Sequence, residues 1–237
     1  MTGMNREVKK KIAAMGIVSA VLFFLFAVLT VLLRTVDVQA IGAGGTEIGL
    51  ATLNGAARDF LVYRSVLYTV TGLTGYMAFL APVCFLGLGG YQLVRRRSLR
   101  LVDGDLYLLA AVYVLLGAFY VLFEKAVINY RPILLGAEPE PSFPSSHTML
   151  AVVLLGTAMA EIAVRIRVKW LLAAGESFLG VLLAVTVLGR LFSGVHWLTD
   201  ILGGLLLGGA LLTAFLAGFF LVRARQTSSC KKQSVRV

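Results

Sequence analysis

At 237 residues, with 59% hydrophobic and 14% charged residues and a mean hydropathy of +0.88, the chain is too apolar for a soluble domain and reads as an integral membrane protein. Its formal charge of +10 would elsewhere suggest a nucleic-acid partner. Here the basic residues follow the ends of apolar runs and form no stripe, which argues against that class and suits contact with anionic membrane lipids instead.

A basic leader (Arg6, Lys9, Lys10, Lys11) precedes an apolar run over 12–33, long enough to cross a hydrocarbon core of about 30 Å. The run exceeds the roughly 7–15 residues of a signal-peptide core, so a retained span is expected. Val38-Gln39-Ala40 nevertheless faintly resembles a cleavage site. A polar, glycine-bearing connector over 34–64, with room for a short interfacial helix, leads to a second run over 65–93 and the cluster Arg95, Arg96, Arg97 and Arg100.

A third run covers 105–123. The loop 124–145, EKAVINYRPILLGAEPEPSFPS, holds Pro132, Pro139, Pro141 and Pro144, which keep it from being helical throughout. Runs over 147–164, 170–188 and 197–222 follow, then a tail with Arg223, Arg225, Lys231, Lys232 and Arg236. The predicted fold is therefore all-α: a polytopic six-transmembrane-helix bundle forming one domain over 1–237.

Six spans put both termini on one side of the membrane. The leader, the loops after spans two and four, and the tail carry sixteen Lys and Arg; the other three loops carry six. The positive-inside rule then predicts cytoplasmic termini. Lys125, Arg131 and Arg190, with both histidines of the chain, fall on the opposite, extracytoplasmic side.

That face carries the chemistry. In the segment 189–200, GRLFSGVHWLTD, Arg190, His196 and Asp200 are spaced R-x5-H-x3-D. On a helix, an i,i+4 carboxylate can hold one imidazole nitrogen and leave the other free, as for a nucleophile or base with its orienting group. His147 stands in PSFPSSHTML, at the head of the fourth run. There Ser145, Ser146 and the first free N–H groups of a helix suit an anion. Lys125, Arg131 and Arg190 beside them are accounted for by one multiply charged ligand such as phosphate.

These residues resemble the three-part signature of the type 2 phosphatidic acid phosphatase superfamily, which also includes glucose-6-phosphatase and the vanadium haloperoxidases. The parts are Lys125 with Arg131-Pro132, then Pro144-Ser145-Ser146-His147, then Arg190 with His196 and Asp200. The resemblance implies that His196 attacks phosphorus, Asp200 orients it and His147 protonates the leaving oxygen. Lys125, Arg131, Ser145, Ser146 and Arg190 would hold the phosphate, without metal or cofactor. The chain departs from the family in three places. Five residues, not six, separate Lys125 from Arg131-Pro132, Ser146 replaces a glycine, and Gly189 replaces a serine.

The implied activity is hydrolysis of a lipid phosphomonoester or diphosphate at the extracytoplasmic face of the cell membrane. Polyprenyl (undecaprenyl) diphosphate is the favoured substrate, and phosphatidic acid and phosphatidylglycerol phosphate are the alternatives. A different class is a transporter or binding protein that uses Glu161 and Glu176 and keeps only a vestigial anion site. Pairing of those carboxylates with Arg165, Arg167 or Lys169 is the plainer expectation. Gly204 and Gly208 allow close helix packing, within the bundle or in a homodimer. Cys84 and Cys230 lie too far apart in depth for a disulfide, and no Cys/His cluster suggests a metal site.

Overall fold

The computed structural model describes residues 5–234, with the backbone alone over 227–234. Among the described residues there are eight α-helices and no strand. Six crossings are long and apolar enough to span a membrane.

The first crossing is α1 (Arg6–Thr35), started by Asn5, whose side chain accepts the Glu7 N–H at 3.0 Å. The connector behind it contains the short helix α2 (Ala51–Arg58). The second crossing is broken into α3 (Ser65–Ala78) and α4 (Leu80–Arg96). Pro82 explains the break, because it lacks the N–H that would bond to the carbonyl four residues back. Next come α5 (Gly104–Lys125), α6 (Ser146–Arg165), α7 (Lys169–Phe192) and α8 (Leu198–Ser234).

The loop between α5 and α6 is irregular, as its prolines predict, and is pinned by an antiparallel bridge between Tyr130 and Pro141. The crossings overlap the apolar runs 12–33, 65–93, 105–123, 147–164, 170–188 and 197–222, and α8 continues well past the last of them, to Ser234.

Between apolar helices in lipid the hydrophobic effect adds little, so close packing and polar contacts must hold the bundle. The sequence supplies small residues where α8 meets its neighbours. A methyl group on Gly204 would lie 2.8 Å from the Ser145 carbonyl, and one on Gly208 would lie 3.0 Å from Val152 Cβ of α6. Both glycines thus serve contacts inside this bundle. Ser19 of α1 donates to the Ala210 carbonyl of α8 at 2.9 Å. Outward-facing apolar side chains such as Phe24, Leu86 and Val181 form the lipid-facing belt.

The end of the bundle that carries the termini is clamped by charge. Asp105, fully buried in α5, meets Arg165 Nη2 of α6 at 3.3 Å and Arg223 Nη2 of α8 at 2.5 Å. Arg165 also pairs with buried Glu161, as the sequence suggests. Glu176 does not follow that expectation: it is exposed on α7 and has no ion pair among the described residues. Asp103 is partly buried, which alone would raise its pKa, but hydrogen bonds from Arg96 and Gln92 outweigh burial and hold it low. Cys84 is a free, exposed thiol, and the Cys230 side chain lies outside the described residues.

Candidate active site

At the opposite end, three elements meet. The turn between α7 and α8 carries His196, which is 3% exposed. Gly194 gives this turn its shape: its φ is +70°, and a methyl group there would lie 2.6 Å from the Leu61 carbonyl oxygen. The connector braces the turn from outside. Arg64 N–H donates to the Ser193 carbonyl at 3.0 Å, and buried Asn54 of α2 donates to Thr199 Oγ1 at 3.0 Å.

The His196 ring is set between a carboxylate and a guanidinium. Its Nδ1 faces Asp200 Oδ2 at 3.4 Å, and its Nε2 faces Arg131 Nη1 at 3.5 Å. Asp200 Oδ2 also accepts the Trp197 N–H at 2.9 Å, which fixes the carboxylate against the turn. Burial first, then the charges of Arg131 and Arg190, push the His196 pKa well below its ordinary value. Imidazole at this position is therefore neutral at physiological pH, with a lone pair available on one nitrogen.

Arg131 is held by the loop before α6. Its Nε pairs with Glu140 Oε2 at 3.0 Å, and its backbone N–H donates to the Glu140 carbonyl, also at 3.0 Å. Trp197 Nε1 donates to the Tyr130 carbonyl at 2.7 Å, tying the same loop to the His196 turn. Phe143 anchors the loop's far end. It is buried, stacks on Phe26 at 5.7 Å and meets Phe123 edge-on at 6.2 Å.

His147 stands in the first turn of α6. Its ring packs over Gly75 of α3, where a methyl group would come within 2.7 Å of Cδ2. His147, Ser146, His196 and Arg131 line one cavity of about 180 Å³, walled by Phe119, Tyr120, Phe123 and Glu124 of α5. Arg190, 2% exposed, lies at the end of α7 with its guanidinium 4.9 Å over the Tyr68 ring. Its Nε and Nη1 are buried without a hydrogen-bond partner. No carboxylate pairs with it among the described residues. A buried guanidinium so placed is costly alone and is matched by an anion.

The structure thus brings together His147, His196, Asp200, Arg131 and Ser146, with Arg190 close enough to act on His196 electrostatically. Two residues expected at the phosphate stand elsewhere. Lys125 is exposed at the end of α5, outside the cavity wall, and its neighbour Glu124 occupies the wall instead. Adjacent helical positions point about 100° apart, so Glu124 and Lys125 do not both face the cavity. Ser145 is fully buried behind the wall. Its N–H donates to the Asp200 carbonyl at 2.9 Å and its hydroxyl accepts from Thr148, so it joins α6 to α8. Sequence reasoning missed Gly75, Gly194, Asn54, Glu124 and Glu140. Only the last two carry a legible signal, as acidic residues close in sequence to Lys125 and Arg131.

The all-helical bundle thus gathers two histidines and the Arg131 guanidinium about one small cavity at its helix ends, with Arg190 buried nearby. Residues 111–223 match the family model described as the PAP2 superfamily. The matched segment holds every motif residue named above. Among solved structures the chain is similar to the first transmembrane PAP2 type phosphatidylglycerolphosphate phosphatase from Bacillus subtilis. The TM-score is 0.57 at 21% identity, covering 85% of this chain and 94% of that one. No curated protein matches.

Proposed function

We propose that the chain is a lipid phosphate phosphatase working through a phosphohistidine. His196 Nε2 forms a bond to phosphorus as the phosphorus–oxygen bond to the lipid breaks, and the lipid oxygen takes a proton from His147. Water then attacks phosphorus, gives a proton to His147, and breaks the nitrogen–phosphorus bond to release inorganic phosphate. Asp200 holds His196 in the tautomer that leaves Nε2 free. Arg131 and Arg190 stabilise the charge on the nonbridging oxygens. The observation that carries this reading is that both histidines and Arg131 line one cavity.

The lipid tail would leave past the α5 side of the cavity, where Phe119, Tyr120 and Phe123 present apolar surface and Tyr120 is 41% exposed. In this reading the cavity lies at the extracytoplasmic face and the termini are cytoplasmic, as the distribution of basic residues implies.

Polyprenyl diphosphate is the substrate the sequence favours. Glu124 and Glu140 on the cavity wall, with Lys125 outside it, supply less positive charge than a diphosphate calls for, and this favours a phosphomonoester such as phosphatidic acid or phosphatidylglycerol phosphate. The test is phosphate release from all three lipids by the purified chain and by His196→Ala. Release from at least one, abolished by His196→Ala, is expected. Release that survives His196→Ala overturns the mechanism, and no release from any lipid favours the transporter or binding protein.

A further inference from the structure

A second cavity, of about 580 Å³, runs along the outside of the bundle at the opposite end, between α4 and α5. Its volume falls in the range of about 300–1,000 Å³ usual for ligand sites. On α4 it follows a single helical stripe of Pro82, Leu86, Gly89, Gly90 and Leu93, and it is closed at the end by Leu99 and Val102. The groove exists because α4 lacks side chains there. A methyl group on Gly90 would meet nothing within 4 Å, and one on Gly89 only Leu106 Cδ1 at 3.9 Å.

The segment that closes the groove is basic. Arg95, Arg97 and Arg100 are exposed and lie in sequence between and beside the groove-lining Leu93 and Leu99. They have no ion pair among the described residues, whereas Arg96 between them is committed to Asp103 at 2.9 Å. An apolar slot whose closing segment carries exposed arginines is complementary to an anion with a hydrocarbon chain.

We infer that the α4–α5 groove binds an anionic membrane phospholipid of the leaflet on the side of the chain termini. One acyl chain would lie against Gly89 and Gly90, and the headgroup phosphate against Arg95, Arg97 and Arg100. The site is separate from the catalytic cavity and does not depend on the phosphatase reading.

Native mass spectrometry of the purified full chain tests it, with dioleoyl phosphatidylglycerol and dioleoyl phosphatidylcholine added at equal concentration. The unaltered chain should retain the anionic lipid in preference. The combination Arg95→Gln, Arg97→Asn, Arg100→Gln should reduce that preference by about fivefold for each arginine replaced. Gly90→Leu should reduce retention of both lipids by filling the slot. His196→Ala should leave the preference unchanged, which separates this site from the catalytic one. Size-exclusion elution reports on folding, and the arginine variant, confined to exposed residues, carries the test alone if Gly90→Leu aggregates. Equal retention of the two lipids, a preference that survives the arginine replacements, or one lost in His196→Ala overturns the inference. So does a dimer, formed without added lipid, that Gly90→Leu dissolves.

Discussion

His196 Nδ1 and Asp200 Oδ2 face each other at 3.4 Å, four residues apart across the start of α8. The same carboxylate oxygen holds the Trp197 N–H at 2.9 Å. The carboxylate is thus fixed by backbone before it orients the ring. Asp200→Asn preserves size and can still meet the Trp197 N–H, but its amide can present a donor to Nδ1 and select the wrong tautomer. We expect kcat to fall about 10²- to 10⁴-fold with KM little changed, measured by steady-state phosphate release.

The pH profile should report the surroundings of His196. Burial, Arg131 and Arg190 lower its pKa below the ordinary 6.5. Protonation of His196 therefore removes the nucleophile only at pH well under that value. Arg131→Gln removes one of the depressing charges, so the His196 pKa rises and its acid limb in kcat/KM moves to higher pH. Arg131→Lys keeps the charge and should leave the limb nearly in place. An identical acid limb in both variants contradicts this assignment.

Gly75→Ala should damage catalysis without replacing a catalytic group. The added methyl would stand 2.7 Å from His147 Cδ2, so the ring must move. A displacement near 1 Å can cost about 100-fold in rate. Expected results are a large loss in kcat and an unchanged elution profile.

Glu124→Lys places a cation on the wall where a carboxylate stands. Reversing one exposed charge should lower KM for a diphosphate lipid by up to about fivefold and change that for a phosphomonoester less. The ratio of the two KM values is the readout.

Asp105→Asn tests the other end of the bundle. It leaves Arg165 and Arg223 without the buried carboxylate that both approach. Removing one partner of a buried ion pair costs roughly 3–5 kcal/mol. A lowered Tm in detergent, with kcat retained by the fraction that remains folded, is expected.

Much of this arrangement is legible in the sequence because hydropathy and motif spacing are local signals. The six crossings, the proline-rich loop and the convergence of His147, Arg131 and His196 all follow from runs of apolar residues and the order of the motifs. What a side chain faces at a helix end is not local. Lys125 and Glu124 are neighbours in sequence, and only the phase of α5 against the loop decides which one reaches the cavity. Ser146 lines the cavity as expected, whereas Ser145 stands behind its wall because the Ser145 N–H is drawn to the Asp200 carbonyl of a distant helix. The seat that Gly75 provides for His147 leaves no trace in either motif.

The break at Phe79 divides the second crossing into two pieces with different attachments. The α3 piece is pinned near the cavity: Thr186 of α7 donates to Thr74 at 2.8 Å, and Gly75 carries the His147 ring. The α4 piece is held mainly at its far end, by Gln92 and Arg96 on Asp103. Tilt of α4 about this joint would let the crossing match a thinner or thicker bilayer without displacing the α3 piece on which the His147 ring rests.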